Sequence, residues 1–216
     1  MRKFDLIIFD CDGVLVDSEP ITNRVFGEML RELGMNVTLD DMFELFVGYS
    51  MAQCLQVVSE RLGKMPPADF VQNYYNRASA ALEAELTAVP GIVEALDQIK
   101  LPYCVASSGA HEKMRMTLGI TGLLPRFEGK MFSATEVARG KPAPDIFLYA
   151  AGKLGVPPPA CLVIEDTPPG VAAGVAAGMT VYGYSAQTPA ARLLAAGAHR
   201  TFNDMSELAT LVVDHE

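Results

Sequence analysis

The sequence lacks the features that mark disulfide-stabilised, membrane-spanning or exported proteins. It contains 4 cysteines in 216 residues, none in a Cys-x-x-Cys pair, and we interpret them as buried reduced thiols rather than disulfides or a zinc site. No apolar run approaches the roughly 20 residues that a membrane span requires. The N-terminus carries strand-like sequence instead of a signal peptide. We therefore expect a cytoplasmic protein with no membrane partner.

Positive charge is also scarce. The chain has 17 Lys and Arg against 26 Asp and Glu, a net charge of −9. Binding to a phosphate backbone depends on clustered Lys and Arg, so we expect no nucleic-acid partner. An anionic ligand would need a local positive field from a metal ion, a single lysine or helix N-termini. His111, His199 and His215 show no spacing typical of metal ligands.

The N-terminal stretch is the first region with a chemical signal. The apolar run from Leu6 to Phe9 predicts a strand buried on both faces, and it stops at Asp10. Asp12 follows two residues later, and Gly13 allows a tight turn. Open α/β sheets place ligands at the carboxyl ends of their strands. Two acids this close share a proton, share a metal, or divide the roles of acid and base, unless the turn is merely solvated.

The rest of the chain predicts two regions of different architecture. Residues 18–87 have helical apolar spacing almost throughout, divided at Gly48, Gly63 and Pro66-Pro67. From Gly91 onward, strand and helix patterns alternate, which indicates a parallel sheet with right-handed crossovers. The predicted fold is α/β, with a Rossmann-like parallel-sheet core formed by residues 1–17 and 88–216. An all-helical cap domain, residues 18–87, is inserted between them and joined by two hinges.

Polar residues follow two further predicted strands. Ser107 and Ser108 come after the strand at Tyr103–Ala106, and Glu165 and Asp166 follow the strand at Cys161–Ile164. Lys141 lies between them in a proline-braced loop. The carboxyl ends of parallel strands share one edge of the sheet, so we expect these groups to meet Asp10 and Asp12 there.

The chemistry of these groups is complementary. Carboxylate and carbonyl oxygens of the acidic residues suit Mg²⁺, with Asp12 offering either its carbonyl or its side chain. Ser107 and nearby backbone N–H groups can hydrogen-bond phosphoryl oxygens, and Lys141 supplies a point charge. Each feature alone has a plain alternative. Lys141 could be a solvated loop lysine, Ser107 a helix cap, and Glu165-Asp166 an acidic helix N-terminus.

The ordered set of motifs resembles the haloacid dehalogenase-like (HAD) superfamily, in its capped phosphatase and phosphomutase branch, over nearly the whole chain. The first family motif is matched by Asp10 through Ser18, the second by Ser107, and the third by Lys141. The fourth is matched by Glu165-Asp166-Thr167, with Gly170 after it. Within the branch, the residues look most like sugar-phosphate phosphatases of the 6-phosphogluconate and phosphoglycolate phosphatase types.

This resemblance implies a role for each motif residue. Asp10 is the nucleophile and a metal ligand, and Asp12 is the acid/base and a further metal ligand. Asp166 binds the metal with Glu165 assisting. The phosphate binders are Ser107, Ser108 and Lys141. The cap residues expected to contact the leaving group are Arg24, Tyr49, Ser50, Met51 and Tyr75.

The resemblance also implies an activity. It indicates an enzyme, a Mg²⁺-dependent phosphoric monoester hydrolase, that acts on a small phosphorylated metabolite through an aspartyl-phosphate. The metabolite is expected to be a sugar or sugar-acid monophosphate. The oligomeric state is left open, with a monomer favoured.

Three alternatives to the phosphatase are a mutase, a dehalogenase and a signalling receiver. A β-phosphoglucomutase-like mutase should hold a second phosphate through a cap cation, but Met51 stands where that cation would serve, and Thr22-Asn23-Arg24 lacks the expected histidine. Dehalogenases lack a second acid equivalent to Asp12. A signalling receiver with a phosphorylated Asp also groups acids, a Ser or Thr and a Lys on a parallel sheet, but it is shorter, has no cap, and would not turn over.

Overall fold

A computed structural model describes residues 4–38, 41–42, 45–46 and 51–213 of the chain. The chain divides into two compact units. The larger comprises Met1–Asp17 and Thr87–Glu216, and the smaller comprises Ser18–Leu86. We refer to them as the α/β unit and the helical unit.

The described part of the helical unit is built from three longer helices around an apolar core. Phe26 lies at its centre, with ring centroids 5.2 Å from Phe46, 5.9 Å from Phe70 and 5.2 Å from Tyr74. Edge-on packing of this kind adds to the burial of the rings themselves. The helices are α1 (Glu19–Glu32), α2 (Met51–Leu62) and α3 (Phe70–Glu85).

The α/β unit is organised around a six-stranded sheet in which every neighbouring pair is parallel. The strand order is β3-β2-β1-β4-β5-β6, so β1 lies in the middle and the order reverses beside it. Ligands bind at such a reversal in open α/β sheets. The predicted α/β fold with a parallel-sheet core is confirmed. The strands are β1 (Leu6–Phe9), β2 (Tyr103–Ser107), β3 (Met131–Ser133), β4 (Cys161–Glu165), β5 (Thr180–Tyr184) and β6 (Arg200–Phe202).

Helices cover the sheet and complete the core. All four residues of β1 are fully buried, as a strand covered on both faces should be. Beside it, Val163, Phe147 and Val171 join β4 to the helices above the sheet. The helices of this unit are α4 (Ile92–Gln98), α5 (His111–Ile120), α6 (Leu124–Phe127), α7 (Asp145–Lys153), α8 (Pro168–Ala176), α9 (Ala190–Ala195) and α10 (Leu208–Val213).

The structure differs from the sequence interpretation at several boundaries. Strands β2 and β4 extend through Ser107 and Glu165, which are therefore strand residues rather than the first residues of loops. Helix α8 begins at Pro168, whereas the apolar, small-residue pattern of the sequence predicts a helix only from Ala172 to Ala177. Thr167 caps it by accepting a hydrogen bond from the Gly170 N–H, and proline is well tolerated in a first helical turn.

Candidate active site

The carboxyl ends of the three central strands lie side by side. Phe9 at the end of β1 is in register with Val105 of β2 on one side and with Ile164 of β4 on the other. The Asp10 N–H donates to the Ile164 carbonyl at 2.9 Å, which continues the pairing one residue beyond β1. Asp10 and the strand-end residue Glu165 are thus brought to the same edge, as the sequence predicted.

Lys141 is the cation at the centre of this edge. Its Nζ lies 2.5 Å from Asp10 Oδ1, 2.7 Å from Glu165 Oε1 and 3.2 Å from the Ala106 carbonyl oxygen. The side chain is only 5% exposed, and its ammonium lies 4.8 Å from the centre of the Phe147 ring. An ammonium has three N–H donors, and all three have an acceptor here. Lys141 is therefore held as a fixed positive charge at this edge of the sheet.

Burial and charge oppose each other in this cluster. Burial raises the pKa of Asp10, the Lys141 ammonium pulls it down, and the Glu165 carboxylate pushes it up again, leaving it at about 7. For Lys141, burial alone would lower the pKa, but the charges of Asp10 and Glu165 raise it above its ordinary value. Lys141 is thus held protonated between two acids. A second cation beside Asp10 would favour its ionised form.

Glu165 is fixed by the loop that follows it. Its Oε2 accepts from both the backbone N–H and the hydroxyl of Thr167, each at 2.9 Å, while its Oε1 faces Lys141. A Cβ on Gly170 would collide with the Glu165 carboxylate, so this position requires glycine. Both oxygens of Glu165 therefore have protein partners, and one of these partners is Lys141.

Three buried acids form a group that can hold a metal ion. Asp10, Glu165 and Asp166 each offer one carboxylate oxygen, and these atoms lie within 4.8 Å of one another. One divalent cation with oxygen ligands about 2.0–2.6 Å away bridges such separations. Gly13 has a φ of 76°, and a Cβ there would collide with the Asp166 carboxylate. The donor set and this close packing fit a hard divalent cation.

The side chain of Asp12 has a different partner. Its Oδ2 accepts a hydrogen bond at 2.8 Å from Nζ of Lys113, which lies in the first turn of α5. The side chains are 27% and 40% exposed, so this pair lies nearer the surface than the pair between Lys141 and Asp10. Asp12 is not part of the three-acid group, and a metal-binding role through its carbonyl stays a prediction. Sequence reasoning missed Lys113 because nothing in its spacing links α5 to Asp12.

The predicted phosphate-binding serines have different environments. Ser107 is buried, and its Oγ accepts from the Gly109 N–H at 3.0 Å. That bond uses a lone pair, so the hydroxyl proton of Ser107 can still be donated to a ligand. Ser108 is exposed.

A hydrogen-bond network that sequence reasoning also missed supports the loop after Ser107. Ser133 Oγ donates to the Gly109 carbonyl at 2.8 Å. Glu136 in turn accepts from the Ser133 N–H at 2.8 Å and from the Tyr149 hydroxyl at 3.1 Å, and its Oε2 lies 2.8 Å from His111 Nε2. The Ser133-Ala-Thr-Glu136 capping box was the available signal in the sequence.

The predicted cap contacts are described only in part, within the helical unit. Arg24 donates to both carboxylate oxygens of Glu85 at 2.8 Å and to Glu28 at 3.3 Å. Tyr75 is 53% exposed, and Met51 is partly buried against the apolar core of this unit. The remaining two predicted contacts, Tyr49 and Ser50, lie outside the described residues.

All four cysteines are reduced and buried, as predicted. For Cys11, which lies between the two acids of the first motif, burial and the neighbouring charges of Asp12 and Asp10 raise the pKa of the thiol well above its ordinary value. Such a thiol is a poor nucleophile. Among the helices that the structure describes, none is both long and apolar enough to cross a bilayer.

The fold and this group of residues define a class of hydrolase. Residues 4–178 match the family model of the haloacid dehalogenase-like hydrolases. The chain therefore belongs to this family, which confirms both the resemblance inferred from the motifs and the prediction that the chain is an enzyme.

Its relatives include named phosphatases and solved structures. The 6-phosphogluconate phosphatase of Escherichia coli K12 is 31% identical over 212 residues, which cover 98% of this chain and 96% of that protein. A conserved haloacid dehalogenase-like protein of unknown function from Agrobacterium tumefaciens has a TM-score of 0.92 and 34% identity, covering 97% of this chain and 98% of the other. A family hydrolase from Deinococcus radiodurans, solved with phosphate and sodium, has a TM-score of 0.84 and 33% identity, covering 99% and 97%.

Proposed function

We propose that this chain is a Mg²⁺-dependent phosphatase that hydrolyses a small sugar or sugar-acid monophosphate through an aspartyl-phosphate. The observation that carries the proposal is the position of Lys141, which fixes one positive charge between Asp10 and Glu165 beside a group of three buried acids. The 6-phosphogluconate phosphatase of E. coli, similar over almost the whole chain, supports a sugar-acid substrate.

In this proposal Mg²⁺ is held by Asp10 and Asp166, whose carboxylates belong to the three-acid group. When bound, the ion supplies positive charge that offsets the repulsion between these carboxylates and a phosphoryl group. Glu165 contributes mainly by holding Lys141, because both of its oxygens are already engaged. Asp12 adds its carbonyl oxygen, since its carboxylate faces Lys113.

The reaction has two steps, formation of the aspartyl-phosphate and its hydrolysis, and residues of this chain would act in both. The Asp10 carboxylate attacks phosphorus, the bond from phosphorus to the leaving oxygen breaks, and Asp12 donates a proton to that oxygen. Asp12 then accepts a proton from water as the water attacks the phosphorus of the aspartyl-phosphate, which releases phosphate and restores Asp10. Lys141 binds the phosphoryl oxygens through its fixed charge and the Ser107 hydroxyl binds them through a hydrogen bond, with Ser108 at the exposed rim.

We further propose that the helical unit serves as the cap and selects the leaving group. Its candidate contacts are Arg24, Tyr49, Ser50, Met51 and Tyr75. Met51 cannot supply the cation that a mutase needs for a second phosphate, which favours hydrolysis over phosphoryl transfer within the substrate. The reduced, buried cysteines support a cytoplasmic location. The oligomeric state stays open, with a monomer favoured over an oligomer.

A screen of phosphorylated metabolites tests the proposal. Purified protein with Mg²⁺ should release phosphate repeatedly from one or a few sugar or sugar-acid monophosphates, and a chelator should stop the release. Isomerisation of a sugar phosphate without release would establish the mutase instead. Release of about one phosphate per chain, with no further turnover on any substrate, would fit a receiver and overturn the proposed function.

A further inference from the structure

Lys113 forms an ion pair with the side chain of Asp12. Its ammonium lies 2.8 Å from Asp12 Oδ2, although 101 positions separate the two residues in the sequence. The pair is partly shielded, with side-chain exposures of 40% for Lys113 and 27% for Asp12. A hydrogen-bonded pair with partial shielding restricts its carboxylate more than a fully solvated pair does.

The side chain and the backbone of Lys113 both have close neighbours. A Cβ on Gly109 would lie 3.4 Å from Cδ of Lys113 and 3.3 Å from Oγ of Ser107. The alkyl stem of Lys113 therefore lies beside Gly109, in the loop that follows Ser107. Thr117 donates to the Lys113 carbonyl at 3.0 Å, so the backbone of this residue is held in the helix.

We infer that Lys113 is a positioning residue for the acid/base step: its ammonium holds the Asp12 carboxylate in one orientation toward the leaving oxygen. This inference rests on the proposed phosphatase function. A general acid must lie within hydrogen-bond reach of the atom it protonates, so an Asp12 that loses the Lys113 contact would donate its proton less often in the required geometry. Lys141 cannot replace Lys113 in this role, since its ammonium faces Asp10, Glu165 and the Ala106 carbonyl.

The dependence on the leaving group distinguishes positioning of Asp12 from a general loss of structure. An alkyl or sugar phosphate has a poor leaving group that needs a proton, whereas p-nitrophenolate leaves without one. General acid catalysis typically raises a reaction rate by about 10²–10⁴-fold. A variant in which Asp12 is present but no longer held in one orientation should lose part of this rate increase. We expect Lys113→Met to lower kcat for a sugar phosphate by about tenfold or more. The burst of p-nitrophenol from p-nitrophenyl phosphate should slow by less than about threefold.

The experiment compares both substrates across a small set of variants of the full-length enzyme with Mg²⁺. Lys113→Arg keeps the positive charge and should recover much of the sugar-phosphate activity. Arg115→Met is the matched control, because Arg115 lies on the same helix and pairs with Glu128 at 3.4 Å. That variant should match the parent on both substrates. In an Asp12→Asn background, Lys113→Met should cause no further loss on the sugar phosphate, because the two changes remove one shared function.

Three results would overturn the inference while leaving the proposed function in place. They are equal slowing of both substrates by Lys113→Met, a rise in KM with kcat unchanged, and the same loss in the Asp12→Asn background as in the parent. The second result would make Lys113 a substrate contact instead. If the parent enzyme released phosphate from neither substrate, the proposed function would fail, and the role of Lys113 with it.

Discussion

Each unit contains a short ion pair, and the two pairs differ in how deeply they are buried. In the α/β unit, Lys141 and Glu165 are 5% and 1% exposed and lie in contact. In the helical unit, Arg24 and Glu85 form a pair at 2.8 Å, close to the 2.7 Å of Lys141 and Glu165, but their side chains are 43% and 52% exposed. Moving charged groups from water into the protein interior costs free energy, and apolar side chains of similar size would not carry this cost. An exposed ion pair has little effect on the stability of the fold in either direction. The comparison indicates that the buried cluster is kept for chemistry, and that the helical unit relies on its apolar core for stability.

The largest effect should follow removal of the proposed nucleophile. Asp10→Asn keeps the size of the side chain but removes the attacking oxygen, so phosphate release should fall by at least about 10³-fold. Steady-state assays on the best substrate would measure this change. Asp97→Asn, at a 60% exposed carboxylate paired with Arg126, serves as the control and should retain parent activity. Near-parent release by Asp10→Asn would refute the assignment of the nucleophile.

Removal of the metal should have a comparable effect on activity. Excess chelator should abolish phosphate release because the buried carboxylates then repel both one another and the substrate. Addition of Mg²⁺ should restore it. Isothermal titration should detect one tight site in the parent and a much weaker one in Asp166→Asn. Full activity in excess chelator would eliminate the metal from the account.

Lys141→Met should affect stability as well as activity. The substitution leaves Asp10 and Glu165 buried without their shared cation, and breaking a buried pair in this way costs about 3–5 kcal/mol. Urea unfolding in the presence of chelator would measure the change in the free energy of unfolding. Arg77→Met is the surface counterpart, because Arg77 pairs with Glu32 at 2.6 Å with side-chain exposures of 49% and 57%. Equal destabilisation by the two variants would contradict the contrast between the units.

The smallest effect should come from Arg24→Met. Its pairs with Glu85 and Glu28 are exposed, so the unfolding midpoint should not change measurably. If Arg24 contacts the leaving group equally in the ground and transition states, the variant should raise KM with little change in kcat. Kinetics on the best sugar phosphate would test this. An unchanged KM would remove Arg24 from the set of proposed cap contacts.

The convergence of the site could be predicted because it depends on topology alone. A buried apolar strand ending at Asp10, together with a parallel sheet, is enough to place Glu165 and Ser107 at the same edge. The partners of each side chain could not be predicted, because they depend on distances between elements far apart in the sequence. Lys113 reaches Asp12 across 101 positions, and Arg24 meets Glu85 across 61.

The sequence pattern also failed to predict the start of one helix and the presence of two short ones. Helix α8 begins within Pro168-Pro169, where proline usually indicates a break but also suits a first turn. Helices α9 and α10 have only six residues each and were not predicted. A segment of six residues is too short to show the apolar spacing of a helix clearly. Glu165 could be recognised as part of the site, but its role in holding Lys141 required the positions of both of its oxygens.

Direct detection of the covalent intermediate tests the central claim. Enzyme mixed with a substrate monophosphate and Mg²⁺, quenched rapidly in acid and digested, would be examined by mass spectrometry. The peptide that contains Asp10 should gain the mass of one phosphoryl group, and the gain should be absent from Asp10→Asn. Multiple turnover by the parent enzyme with no phosphoryl group on Asp10 at any quench time, or with the group on another residue, would contradict the account.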